Sequence, residues 1–468
     1  MKVLLIEPPF HRFMAFYRHY YPLGLAYIAS ALLSRNHVVR IYDAEHDPSA
    51  KSRTYLETSQ EYNKYLDAIE NWEHPVWSEI RREISRFQPD LVGISVLTVK
   101  VPSALMIASI CREVCGNVPI VVGGEHPTAR PQDLLKDDNV DFATRGEGEL
   151  TVCQLADSLE KADPVDSVAG LSFKSDGKIH HNNDRGLIEN LDDLSVPARN
   201  LLANKETYRP VDFGLIMGSR GCQYKCAFCP NQNIWGTKVR FRSPSSVIAE
   251  IKSVHEEYST DYFSFRDYSF SVNPKWTIEL CKMIIQERVD VQWECTTRPN
   301  LISDETVSWM KKAGCTTIRV GVESGSRRIL NEIGKDVSLR AVKEMARVLH
   351  RHKLYWAAYF MFGLPTETQE DIEKTFELID EIDPPFVTMA RYTPVPGTEI
   401  YQTLVNEGTI RENEVDWGQW GNQWLQIGFR KDISQEEFRE ATERIAKRIE
   451  EHNRRYRVRK PHPLLKLE

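Results

Sequence analysis

The sequence predicts an α/β protein in three parts: a doubly wound parallel sheet over residues 1–160, a partial β/α barrel over 213–405 and a helical segment over 406–468, with 161–212 as a linker. Three observations carry this. Short β-branched runs alternate with helical patterns through the first part, the signature of a parallel sheet covered on both faces. The alternation lapses into polar, irregular sequence and resumes at Gly214. Beyond Gly408 strand signals stop, and the chain is rich in charge with Trp417, Trp420 and Trp424 at helical spacing.

In the first part the predicted strands are 3–6, 38–41, 91–94 and 120–122. Between them Val76, Ile80 and Ile84 recur every four residues and define one helical face, which Pro89-Asp90 ends. Ligands of such sheets sit beyond the carboxyl ends of the strands, so the loops after Ile6, Ile94 and Val122 are the places to look. In the linker, Lys174 to Lys178 read as a turn between short strands. The second series comprises 216–217, 262–265, 291–294, 317–320, 356–360 and 386–389. A barrel built from it, complete or partial, carries its active site at the C-terminal strand ends. The three tryptophans read as packing residues.

A chain of 468 residues that is 41% hydrophobic has room for substantial cores. Its net charge of -7 argues against a nucleic-acid partner, which calls for a basic domain. The basic run Arg454, Arg455, Arg457, Arg459 and Lys460 reads as a solvated helix end. The apolar stretch 3–6 is too short for a signal peptide, and 23–33 falls short of the roughly 20 residues of a membrane span. A cytoplasmic protein without membrane partners is therefore expected. Nine cysteines in a long chain do not resemble a disulfide framework, which turns attention to metal binding.

The decisive segment is Cys222-Gln223-Tyr224-Lys225-Cys226-Ala227-Phe228-Cys229, a C-x3-C-x2-C directly after the first strand of the second series. Thiolates are the soft ligands that zinc and iron–sulfur clusters share. Structural zinc needs four ligands, and the stretch 182–254 holds no Cys or His except these three. Three cysteines leave one iron of a four-iron cluster open for a ligand. Cys111 and Cys115 repeat the first spacing inside a helical pattern and read as buried thiols.

This spacing and context resemble the radical S-adenosylmethionine (SAM) superfamily, in which the open iron of a [4Fe–4S] cluster binds SAM and cleaves it to a 5′-deoxyadenosyl radical. Further matches carry the resemblance across the barrel. Phe228 stands at the aromatic position near the adenine, Asp267 follows the second strand where the SAM amino group is accepted, and Arg298 ends the third and looks like the arginine that pairs with the SAM carboxylate. The run Gly321-Val322-Glu323-Ser324-Gly325 resembles the fourth-strand signature, which implies that Glu323 accepts from ribose hydroxyls or the SAM amine beside an open Gly321. Phe362-Gly363-Leu364-Pro365 and Pro394-Val395-Pro396-Gly397 are two more matches.

Segments around Pro9, Leu23-Gly24, Ser95, Thr98, Gly123-Gly124-Glu125-His126 and Gly146-Glu147 look like the B12-binding-domain (cobalamin-dependent, class B) radical SAM enzymes. The resemblance covers about residues 1 to 405. It implies a Rossmann-like corrin domain followed by a partial (β/α)6, TIM-like barrel. Glycines there let a flat corrin and its tail approach the backbone, and Ser95 and Thr98 are candidates to bond the tail. The D-x-H-x-x-G loop of mutase-type domains is missing, so no histidine is expected below the cobalt, and His126 reads as a loop residue.

The expected function is cobalamin-dependent methylation of an unactivated carbon in a small molecule, with SAM, one [4Fe–4S] cluster and cobalamin as cofactors and an external electron donor such as flavodoxin or ferredoxin. The first competitor is a dehydratase, cyclase or rearrangement enzyme of the same lineage, without cobalamin in one version. The second is a metal-stabilised binding module without catalysis.

Overall fold

The structure, a computed structural model, describes residues 1–17 and 20–457. The first part is a sheet of β1 (Lys2–Glu7), β2 (Val38–Asp43), β3 (Leu91–Ser95), β4 (Ile120–Gly123), β5 (Phe142–Thr144), β6 (Leu171–Ser175) and β7 (Lys178–His181). Its order is β2-β1-β3-β4-β5-β6-β7. The first five strands are parallel, and β6 and β7 extend the sheet as an antiparallel hairpin. The continuous apolar run of β1 has a direct reason: Val3 and Leu5 enter one core, Leu4 and Ile6 the other. Helices Leu23–Leu33 and Gly148–Lys161 cover the first face; Pro75–Phe87 and Val101–Cys115 cover the second. Helix Pro75–Phe87 starts with proline in its first turn and stops at Gln88, which turns left-handed just before Pro89.

Residues 171–175 and 178–181 of the expected linker thus belong to the sheet, because the turn at Asp176-Gly177 pairs them. Four 3-10 turns then lead to β8 (Leu215–Ile216). A two-residue hairpin, β9 (Ser219–Arg220) and β10 (Arg240–Phe241), brackets the cysteine segment. The barrel continues with β11 (Tyr262–Phe265), β12 (Gln292–Thr297), β13 (Cys315–Glu323), β14 (Tyr355–Phe362) and β15 (Phe386–Arg391). These join β8 in one parallel six-stranded sheet, β15-β14-β13-β12-β11-β8, which is a partial (β/α)6 barrel. On β11 the alternation is plain: Phe263 and Phe265 enter the core with the helices, while Tyr262 and Ser264 turn to Glu294 of the neighbouring strand.

The C-terminal part corrects the expectation of continuous helix. Residues 408–434 are irregular apart from two 3-10 turns, interrupted by Gly408, Gly418, Gly421 and Gly428, and the helix proper is Gln435–Arg457. Trp417 and Trp420 are buried in the second core of the first domain, with Trp424 packed against it, so this segment folds back across the N-terminal sheet. Helix Gln435–Arg457 packs against β15. Arg454 and Arg455 are exposed near its end, and Arg459 and Lys460 lie outside the described residues. Among the described residues no helix is long and apolar enough to cross a membrane.

Candidate active site

The cysteine segment leaves β9 through Gly221, whose φ is +97°. A side chain there would meet the Lys238 carbonyl at 2.2 Å, so the close return of β10 admits only glycine. Backbone bonds then hold the loop to the barrel rim: Ala227 N–H donates to the Ile333 carbonyl (2.9 Å), and the Ala227 carbonyl accepts from Ile400 (3.2 Å). Cys226 is buried, and Cys222 and Cys229 are half-buried. Burial pushes the Cys229 thiol up to about 11, so its deprotonation has to be driven by metal coordination. Among the described residues no three His, Cys, Asp or Glu side chains gather around one ion position. A cluster asks for a wider spacing, since each thiolate caps a different iron. The remaining cysteines lie elsewhere, with Cys111, Cys153, Cys281, Cys295 and Cys315 buried and Cys115 half-buried.

Arg298, at the end of β12, reaches this loop. Its Nη1 lies 3.3 Å from Cys226 Sγ, and its guanidinium stacks 3.7 Å from the Tyr224 ring centroid. Nη2 donates to the Lys335 carbonyl, and the buried Nε has no partner among the described residues. Lys335 Nζ in turn donates to Glu323 Oε1 (2.6 Å). Glu323 holds φ +72°, left-handed backbone that a non-glycine residue adopts at a cost, beside a register shift between β13 and β14. A Cβ on Gly321 would meet Glu323 Oε1 at 2.5 Å, so the open space expected at Gly321 holds this ion pair. Arg298, Lys335 and Glu323 thus form one connected chain beside Cys226.

Asp267 is placed differently. Its Oδ2 accepts from Gly218 N–H (3.0 Å) and its Oδ1 from the Ser219 hydroxyl (2.5 Å). Burial pushes its carboxyl up to about 6 against those bonds. In this structure it braces the strand that leads into the cysteine loop. Phe228 packs on the small apolar cluster of Ile329, Leu330, Ile333, Leu364 and Tyr392 at the barrel rim.

At the carboxyl ends of β3, β4 and β5 lies a cleft of about 160 Å³. It is lined by Gly24, Ser95, Gly123, Gly124, Gly146 and Glu147 among others, and one side is closed by Ile234 and Trp235 from the helix after the cysteines. A Cβ on Gly24 or Gly146 would meet no protein atom within 4 Å, so hydrogen at both positions leaves room for a guest. The other expected corrin contacts are not in its lining. Leu23 is in the core, and the Pro9 carbonyl accepts from the Ser103 hydroxyl. Thr98 and His126 are buried together, Oγ1 to Nδ1 3.3 Å, with the His126 ring edge-on to Trp417. His126 therefore fills a core position, because the C-terminal segment covers it. Glu125 opens helix Glu125–Ala129, which packs against helix Asn231–Trp235; burial pushes its carboxyl up to about 7.

Glu147 has a second task. Its carboxylate accepts from Arg220 Nη1 (2.8 Å), Arg240 Nη1 (2.9 Å) and the Ile188 N–H (2.7 Å), while Glu149 takes Arg220 Nη2 (2.6 Å). The Arg220 guanidinium also lies over the rings of Trp235 and Tyr27, at 4.6 and 5.1 Å. This buried ion cluster joins the first domain to the hairpin that carries the cysteines. Sequence reading missed Arg220, Arg240, Lys335, Tyr224 and Trp235. Only Arg220 and Tyr224 had a local signal, in their adjacency to the cysteines.

The family model of the Radical SAM superfamily matches residues 216–379, and that of the B12 binding domain matches residues 15–156. An uncharacterized methyltransferase of Pyrococcus horikoshii is 32% identical over 386 residues, covering 82% of this chain and 78% of that protein. The anaerobic magnesium-protoporphyrin IX monomethyl ester cyclase of Rubrivivax gelatinosus is 27% identical over 335 residues, 70% of this chain and 60% of the cyclase, which is the longer protein. Among solved structures, the radical SAM methyltransferase TsrM of Kitasatospora setae, with cobalamin and a [4Fe–4S] cluster bound, superimposes with a TM-score of 0.68. It covers 87% of this chain and 75% of its own at 17% identity, a likeness of fold. With both domain types in this order, and 32% identity sustained over most of two chains, this chain belongs to the B12-binding-domain radical SAM enzymes.

Proposed function

We propose that this chain is a cobalamin-dependent radical SAM methyltransferase acting on an unactivated carbon of a small molecule. The observation that carries the reading is the shared wall: Ile234 and Trp235, five and six residues after Cys229, close the glycine-lined cleft of the first domain. A corrin cradle and a cluster loop then border one chamber.

The residues present fit both groups. Three free thiols on one loop, with room at Gly24 and Gly146, suit a cluster with one open iron and a flat guest. When bound, the cluster with SAM supplies hydrogen abstraction and methylcobalamin supplies the methyl group. The chain's own residues do the positioning. Cys222, Cys226 and Cys229 hold the cluster. Arg298, stacked on Tyr224 beside Cys226, keeps an unused Nε that would donate a charge-assisted bond to a carboxylate. The Lys335–Glu323 pair fixes the floor next to it. Gly24, Ser95, Gly123, Gly124 and Gly146 form the cradle, and the Glu147 cluster keeps cradle and loop in register. We place the enzyme in the cytoplasm, where thiolate ligands stay reduced and a flavodoxin or ferredoxin supplies the electron.

The cyclase relative supports a second reading, in which the same radical start leads to dehydration, cyclisation or rearrangement. Incubation of reconstituted enzyme with methyl-deuterated SAM separates the two. A product heavier by one deuterated methyl supports methylation, while loss of water or of hydrogen without label supports the second reading. A chain that cleaves no SAM when reduced is a binding module, and both fail.

A further inference from the structure

Inside the barrel the inward positions of four adjacent strands make one polar patch. Glu294 of β12 accepts from Tyr262 Oη (3.1 Å), Ser264 Oγ (2.9 Å) and Arg319 Nη2 of β13 (2.8 Å). Arg319 Nη1 donates to Tyr359 Oη of β14 (2.9 Å), and its buried Nε has no hydrogen-bond partner among the described residues. Arg266 occupies the next inward position after Ser264, at the carboxyl end of β11. It has no carboxylate partner among the described residues; its guanidinium lies 4.3 Å from the ring centroid of Tyr20, which comes from the first domain.

The Arg266 end of this patch faces open space. Arg266 and Tyr268 are exposed, while Phe265, Asp267 and Ser269, which alternate with them, are buried. Among the described residues the patch also carries excess positive charge, since Arg266 and Arg319 stand beside Tyr20 with one carboxylate, Glu294. Tyr20 senses it: burial would raise its phenol, and the two guanidinium groups outweigh that and hold it below the ordinary value. A guanidinium without a counter-ion at the mouth of a barrel is a poor stabiliser and a good anion fork.

We propose that the substrate carries an anionic group, a carboxylate or a phosphate, which Arg266 at the carboxyl end of β11 and the free Nε of Arg319, midway along β13, bind. This deepens the proposed function and rests on its placement of the substrate in the barrel mouth. A role for Arg266 as a latch between the domains, through Tyr20 alone, would give the fold its contact without any effect of substrate charge.

The test uses reduced holoenzyme with cluster, cobalamin and methyl-deuterated SAM. The probe is a small-molecule extract of source cells lacking this chain, where substrate accumulates, split on an anion exchanger at neutral pH into retained and unretained fractions. The retained fraction is expected to stimulate 5′-deoxyadenosine formation, and inorganic phosphate to compete with it. In Arg266→Gln the amount needed for half-stimulation should rise about 10- to 100-fold, the range for lost charge-assisted bonds, with Arg266→Lys recovering part of it. Stimulation by the unretained fraction, or by neither, overturns the proposal, as does an Arg266→Gln enzyme that responds like the native one. Stimulation without deuterated methyl in any product instead defeats the methylation reading and leaves the anion site standing.

Discussion

Replacing Glu147 with alanine should loosen the join between the corrin-type domain and the cysteine hairpin. The carboxylate lies at the centre of four bonds: from Arg220 Nη1 (2.8 Å), from Arg240 Nη1 to both oxygens (3.0 and 2.9 Å) and from Ile188 N–H (2.7 Å). The side chains of Glu147, Arg220 and Arg240 are 1–2% exposed, so solvent does not screen them. Removing one partner of a buried pair costs about 3–5 kcal/mol, because the surviving charge stays desolvated. Here two guanidinium groups are bereaved. Arg220 keeps Glu149, whereas among the described residues Arg240 keeps only the carbonyls of Ile188 and Trp235, so the cost should fall near the upper end for Glu147→Ala. Glu147→Gln, which keeps an acceptor and the shape, should cost roughly half as much. Anaerobic urea unfolding followed by tryptophan fluorescence reads the loss, and a double-mutant cycle with Arg240→Ala isolates the pair. A coupling below about 0.5 kcal/mol, the level expected for independent sites, would refute the reasoning.

Arg298→Met should weaken SAM binding about 10-fold or more, measured by equilibrium dialysis of the reconstituted protein, with Arg298→Lys intermediate because it keeps charge but loses the planar fork. Unchanged affinity in Arg298→Met would remove Arg298 from the SAM site. Gly24→Val should place methyl groups in the cleft and abolish the corrin absorbance of reconstituted protein without changing its far-UV circular dichroism, since a Cβ at Gly24 meets no protein atom within 4 Å. Full corrin retention would move the cradle elsewhere. Burial pushes the carboxyl of Glu367 up from 4.5 to about 8. The folded chain therefore holds this proton where the unfolded chain has released it, and stability falls as pH rises from 4.5 towards 8, by at most about 5 kcal/mol at 1.36 kcal/mol per pH unit. Glu367→Gln should match the native protein near pH 4.5 and melt higher at pH 8.5; a difference independent of pH would contradict this.

Much of the fold is legible in the sequence because parallel strands buried on both faces are written as continuous apolar runs, as β1 and β3 are. The barrel strands are legible for the same reason, although β13 extends beyond the expected 317–320 to span Cys315–Glu323. β5 escapes notice because Phe142–Thr144 is three residues long and carries no periodicity. The Trp spacing of 417, 420 and 424 suggests a helix, yet four glycines within 408–428 outweigh that pattern. The cysteine loop stands out because its chemistry is local. The Glu147 ion cluster does not, since its arginines are 73 and 93 residues away in the chain. His126 and Thr98 follow strand ends where a ligand is expected, and the returning C-terminal segment, with Trp417 against His126, turns that address into core.

The account depends on three thiolates holding a four-iron cluster whose fourth iron takes SAM. Mössbauer spectroscopy of anaerobic protein reconstituted with iron-57 tests this directly. The account predicts three irons in a common thiolate environment and one whose isomer shift moves when SAM is added, with Cys226→Ala losing the cluster. Four equivalent irons that ignore SAM, or a chain that binds one zinc and no iron, would contradict it.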